Sequence, residues 1–113
     1  MVFSRRIIAK SQKSHMIGDK VRLLEPAEND LQDITKYLLE YSTQAASNFL
    51  NMFEKHILHL YRFPKAYEIY QGNPHFRKML VDRYLVFYTI DEANKLISVF
   101  RILYGSRDTN KDL

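Results

Sequence analysis

The spacing of apolar positions changes twice along the chain, and each change marks a boundary. Residues 1–19 mix Ser, Gln, Lys and Arg with no sustained period. They read as a flexible basic arm ahead of a domain spanning 20–113, and such a segment adds few buried contacts. Lys20–Leu24 is a short strand that stops before Pro26. Pro26 suits the first turn of a helix, where its missing N–H costs nothing. Glu28, Asp30 and Asp33 follow it, near the positive end of the helix dipole. Ala27, Leu31, Ile34, Leu38 and Tyr41 recur at four, three, four and three, which is one helical face. Ser42 or Thr43 offers an N-cap for a second helix, whose stripe is Ala46, Phe49, Phe53, Ile57 and Leu60. Pro64 stops it. With almost no linker between them, helices near 27–41 and 43–63 form an antiparallel hairpin.

After Pro64 the period switches from helical to extended. Gly72, Asn73 and Pro74 punctuate, and His75–Val81 reads as a strand. Asp82–Arg83 is a two-residue turn, and Tyr84–Ile90 (YLVFYTI) is rich in β-branched and aromatic residues. A polar turn over Asp91–Lys95 leads to a last strand, Leu96–Leu103 (LISVFRIL). Both late strands are apolar at nearly every position, which predicts that they are central or covered on both faces. The expected fold class is α+β: an N-terminal strand, then a helical hairpin packed on a twisted antiparallel sheet of about four strands.

Composition narrows the chemistry. At 113 residues the chain holds one core. It has no cysteine, which removes disulfides, thiolate metal sites and cysteine nucleophiles together and fits a reducing cytoplasm. No apolar run approaches the roughly 20 residues that cross a bilayer, so no membrane role is expected. The net charge of +4 is uneven. Residues 1–20 hold Arg5, Arg6, Lys10, Lys13 and Lys20 against Asp19, so the remainder is neutral. Within that remainder, acids dominate from Glu25 to Glu54. From Gly72 to Arg107 the bases Arg77, Lys78, Arg83, Lys95, Arg101 and Arg107 outnumber Asp82, Asp91 and Glu92. A polyanion would meet the C-terminal half. His56 and His59 stand three apart, but no further ligand completes a metal set, and a satisfied surface or core pair explains them. No cofactor is implied.

The stretch Phe76–Asp108, FRKMLVDRYLVFYTIDEANKLISVFRILYGSRD, resembles the C-terminal sheet of the RelE/ParE superfamily. It has an Arg, a Tyr seven residues on, a second Tyr four further, an Ile-Asp turn and an Arg-Ile-x-x-Gly-x-Arg-Asp ending. Lys20–Asp33, KVRLLEPAENDLQD, is similar to the superfamily's first strand and helix start. The resemblance covers about residues 20–110. It implies the toxin of a type II toxin–antitoxin system: a bacterial, cytoplasmic growth inhibitor, often plasmid-stabilising, held silent in a hetero-oligomer with a cognate antitoxin. Two activities are open under it. RelE-like members are metal-independent endoribonucleases acting on ribosome-bound mRNA, and ParE-like members inhibit DNA gyrase and are not enzymes of that kind.

Metal-free RNA cleavage needs a base, cations for the pentavalent phosphate and an acid. Arg77, Arg101, Tyr104 and Arg107 are the leading candidates for catalysis or target contact, and Lys78 and Arg83 are secondary basic candidates. RelE-like nucleases place an Arg ahead of the Leu-Val-Tyr core of the third strand, where this chain has Leu85. They also often add a C-terminal helix carrying a Tyr, for which nothing remains before Leu113. The balance favours gyrase inhibition over mRNA cleavage. Each cation also has a plain structural explanation, and for Arg101 that is an ion pair with an acid such as Asp108. Simple alternation puts Arg101 on a face with Val99 and Leu103, and Tyr104 on the other with Phe100 and Ile102. A non-toxic RNA-binding module accounts equally for basic charge on aromatic strands, but it gives no reason for the Arg-Ile-Leu-Tyr-Gly-Ser-Arg-Asp ending.

Overall fold

The computed structural model describes residues 14–17 and 20–105. Two helices pack on one face of a five-stranded sheet, with strands in the order β1-β2-β5-β4-β3. In chain order these are β1 (Ser14–Ile17), β2 (Val21–Leu24), α1 (Glu25–Leu39), α2 (Thr43–Arg62), β3 (Arg77–Val81), β4 (Tyr84–Asp91) and β5 (Leu96–Tyr104).

Both helices start as their residues dictate. Pro26 occupies the first turn of α1 with Glu25 and Glu28, and no side chain caps that end. Ser42 caps α2, its hydroxyl accepting from the Ala45 amide at 2.9 Å. Ala27, Leu31 and Ile34 of α1 and Ala46, Phe49, Phe53, Ile57 and Leu60 of α2 are buried, as the stripes predicted. Tyr41 is not, because α1 ends at Leu39 and the residue lies beyond its last turn, largely exposed. The stripes meet Val21, Leu23, Met79, Val81, Val86, Tyr88, Val99 and Ile102 from the sheet in one core.

Two expectations about the sheet need correction. It is mixed rather than antiparallel, because β2 runs parallel to β5 (Val21 with Ile97, Leu23 with Val99). The physical reason is that the chain returns from the α-hairpin and the 63–76 connection to enter the edge strand β3 in the direction of β2, and two antiparallel pairings later β5 again runs that way. The sheet also has five strands rather than four. Ser14–Ile17, in the stretch read as part of the arm, pairs antiparallel with β2, and Ile17 packs against the core. A four-residue edge strand is too short to leave a readable period. The rest of the arm, residues 1–13, 18 and 19, lies outside the described residues.

The apolar β4 and β5 are central, and both of their faces are covered. The second cover comes from the 63–76 connection, which folds back beside β3 through an Ile69–Arg77 bridge and a bond from the Tyr70 amide to the Phe76 carbonyl. It places Tyr70 and Phe76 over Phe87, Phe100, Leu85 and Leu103 on the face away from the helices.

A bulge between Phe87 and Tyr88 shifts the register so that Phe87 opposes Arg101 while Tyr88 opposes Val99. Simple alternation therefore fails here. Val99 and Ile102 both enter the helix-side core, Phe100 joins the opposite cluster, and Arg101 parts from Val99. Arg101 reaches Asp30 of α1: its Nε and Nη2 donate to the carboxylate at 2.7 and 3.0 Å, and the Ile102 amide donates to the same group at 2.9 Å. The acid that pairs with Arg101 is thus Asp30, since β2 leaves β5 unpaired after Val99 and α1 enters that space.

Two tests follow from this packing. A chain beginning at Gly18 should melt several degrees below one beginning at Ser14, because it loses the β1 pairing and the Ile17 contact, together about 1 kcal/mol; equal melting curves would show that β1 contributes nothing. Replacing Asp30 by Ala strands a half-buried guanidinium and an amide, at a cost of about 2–3 kcal/mol, roughly 10 °C in Tm. Asp30→Asn, which keeps an acceptor for the Ile102 amide, should cost distinctly less in the same melt.

Candidate functional site

The α1 C-terminus, the β3–β4 turn and the end of β5 enclose an open cleft of about 750 Å³. Tyr37, Leu38 and Tyr41 form one wall, and Asp82, Arg83, Tyr84 and Tyr104 form the other. The tyrosines are arranged in two pairs. Tyr37 and Tyr41 meet edge to face at 5.3 Å and share a hydroxyl–hydroxyl bond of 2.9 Å, since the turn that follows α1, closed by the Tyr41 amide on the Leu38 carbonyl, brings Tyr41 back beside Tyr37. Tyr84 and Tyr104 are cross-strand partners with ring centroids 5.7 Å apart, and Phe49 supports Tyr84 from α2 at 5.2 Å. Tyr84 is buried, whereas Tyr37, Tyr41 and Tyr104 are exposed enough to touch a partner.

The phenols of Tyr37 and Tyr84 are held neutral. The bond from Tyr41 raises the Tyr37 pKa above its ordinary value. Burial raises that of Tyr84, with the Asp82 carboxylate adding to it. Neutral phenols donate and accept hydrogen bonds but are poor bases.

The turn between the strands is held in an unusual shape. Asp82 has φ 56°, a left-handed conformation that costs a non-glycine residue about 1 kcal/mol. It turns Asp82 and Arg83 outward at the cleft. Gly105, the glycine of the Arg-Ile-Leu-Tyr-Gly ending, donates its amide to the Arg83 carbonyl at 2.8 Å. A Cβ at that position would stand 3.2 Å from the same oxygen, so the ending's glycine permits the close approach that ties β5 to the turn.

Of the leading candidates among the described residues, the structure brings only Tyr104 into this cleft, and of the secondary ones Arg83. Arg77 lies elsewhere, donating to the Tyr67 carbonyl at 2.7 Å. It helps anchor the connection after α2, as does Tyr88, whose hydroxyl donates to the Pro64 carbonyl at 2.7 Å and whose phenol is pushed well above its usual pKa by burial. Arg101 is occupied by Asp30. Lys78 stands 3.4 Å from Glu68 and over the Tyr70 ring on the opposite face. Arg107 lies outside the described residues. Leu85, where the nuclease pattern has a cation, packs in the apolar cluster with Leu103 and Phe87.

Tyr37 and Tyr41 escaped the sequence reading. Their four-residue spacing at the end of α1 was the available signal, but it merged with the apolar stripe of the same helix. His56 and His59 do not face a common ligand: the Nδ1 of His56 bonds the Met52 carbonyl, and that of His59 the Tyr67 hydroxyl at 2.5 Å. Among the described residues no cluster of three or more His, Asp or Glu side chains could hold a metal ion, and no helix is long and apolar enough to cross a membrane.

No individually curated protein matches the chain. A family model described as "ParE toxin of type II toxin-antitoxin system, parDE" matches residues 21–109, from the start of β2 past the end of β5. That span contains both segments joined by the Arg101–Asp30 pair and every residue of the tyrosine cleft. The chain therefore belongs to the ParE toxin family of type II toxin–antitoxin systems, and with that membership comes an antitoxin partner.

Proposed function

We propose that this toxin arrests growth by binding DNA gyrase through the tyrosine cleft, and that it does not cut mRNA. The observation that carries this reading is the fate of the cations. Metal-free cleavage needs several positioned positive groups around one phosphate, and losing one typically costs about 10²–10³-fold. Arg77 and Arg101 are spent on internal bonds, and Leu85 is part of an apolar cluster. What the cleft offers instead is exposed Tyr beside Arg83, the residue types that dominate binding energy at protein interfaces.

The RelE-like alternative draws on one feature, the nearness of the Tyr104 phenol to Arg83, with Arg107 as a further cation from the adjoining segment. A cation and a phenol are the parts that cleavage would use, and in that reading Arg107 and Tyr104 are the first residues to mutate.

Induced expression in a bacterium, followed by plasmid supercoiling gels and primer-extension maps of cellular mRNA, separates the two. Growth arrest with relaxed plasmid and intact mRNA is expected. Early codon-phased cuts with supercoiling unchanged would overturn the gyrase reading, and no arrest would leave a plain RNA-binding module as the better account. Tyr104→Ala combined with Arg83→Ala should weaken gyrase binding by about 2 kcal/mol or more, some 30-fold, with little change in Tm, since both side chains are exposed.

A further inference from the structure

β4 runs from the tyrosine cleft at Tyr84 to a second cleft at Ile90, about 20 Å away along the strand. This second cleft, of about 500 Å³, has an apolar floor of Tyr61, Pro64, Ile90 and Ile97. Its rim is basic: Lys20, Lys65 and Lys95 against Glu92. Glu92 is already paired with Lys65 at 2.9 Å. Asp91, next to it, is turned into its own loop, accepting from the Asn94 amide and side chain, which hold its pKa below the usual carboxylate range. The ammonium groups of Lys20 and Lys95 have no acidic partner among the described residues. Lys20 is held in place by its backbone, whose carbonyl accepts from the Ile97 amide at 2.8 Å. Lys95 has φ 53°, a left-handed conformation that closes the β4–β5 turn.

We infer that this lysine-rimmed cleft is the docking socket for an acidic, apolar-anchored segment of the antitoxin, and that it is separate from the surface that contacts the target. The inference rests on the toxin reading for the identity of the partner, while the chemistry of the partner comes from the cleft. An apolar floor takes a Leu- or Phe-type anchor, and two ammonium groups on its rim, without an acidic partner among the described residues, select carboxylates flanking that anchor over cations. The tyrosine cleft lacks this bias, because Asp82 stands beside Arg83 there. The opposite ends of one rigid central strand thus carry two surfaces of different chemistry, so neutralisation and toxicity are separable by mutation.

The test uses the full chain and a synthetic amphipathic peptide of about 15 residues, with Leu at three- and four-residue spacing and Glu between, alongside its Lys-for-Glu counterpart. Binding is read by fluorescence anisotropy at low and high salt. The Glu peptide should bind, weaken as salt rises and lose at least about tenfold in affinity on Lys20→Glu/Lys95→Glu, while the Lys peptide should not bind the wild-type chain. Tyr61→Ala, at an exposed position, should weaken the Glu peptide through the floor alone, and Tyr104→Ala should leave it unchanged. Equal binding of both peptides, indifference to the lysine variant despite an unchanged melting curve, or displacement of the peptide by AMP or inorganic phosphate would overturn the inference; the last would make the cleft a small-anion site. Induction of the lysine variant should still arrest growth, and loss of arrest in a folded variant would show that the two surfaces are not separate. If the wild-type chain itself fails to arrest growth, the toxin reading falls, and the peptide measurement still decides the chemistry of the cleft.

Discussion

Asp30 sits where β2 has ended and the edge of β5 is left without a strand, and its carboxylate takes the place of the missing ladder. It accepts from the Ile102 amide, as a neighbouring strand would, and from two nitrogens of Arg101. The pair is mostly shielded from water, with side-chain exposures of 14% and 23%, so it is both stronger and costlier to break than a surface ion pair. It fastens the first turns of α1 to the far half of the central strand. The rest of the fold inherits its geometry from that attachment. The line of α1 sets where Leu31 and Ile34 enter the core and where Tyr37 and Tyr41 emerge at the helix end. The same attachment gives physical content to the family pattern, since it joins the Pro-Ala-Glu-Asn-Asp run of the first helix to the Arg-Ile of the last strand.

A second constraint is the bulge opposite Phe100. By letting one residue of β5, Phe100, pass where β4 supplies none, it frees Arg101 to reach the strand edge and returns Ile102 and Tyr104 to the helix side. Without that extra residue Tyr104 would face away from Tyr84, and the cleft would lose one wall. The close approach of Gly105 to Arg83 then locks the end of β5 against the turn. Cleft, bulge and clamp therefore form one construction, and Arg101, one of the four leading candidates for catalysis or target contact, is the part that holds it together.

The two ends of the sheet divide the molecule's chemistry. One end gathers phenols around an Asp-Arg turn, and the other gathers lysines around an apolar floor. On the proposed assignment of the two clefts, the contact that silences the toxin and the contact that harms the cell can vary independently.

Period and punctuation alone determined the order of the main elements, both helix boundaries to within two residues, the helix-side core of α1 and α2 and the central place of β4 and β5. These are local properties: an apolar stripe at 3.6 residues, a Pro in a first turn and a run of β-branched residues act within a few turns of chain. The family was legible too, because its pattern is an ordered set of such local signals. The parallel pairing of β2, the added strand β1 and the partner of Arg101 were decided by tertiary structure, since each depends on residues some 70 positions apart or on a strand too short to show a period. The same holds for the tyrosine cleft. Tyr37 comes from a helix, Tyr41 from the turn after it and Tyr84 and Tyr104 from two strands, and only a one-residue bulge, silent in the sequence, turns the last of them toward the others.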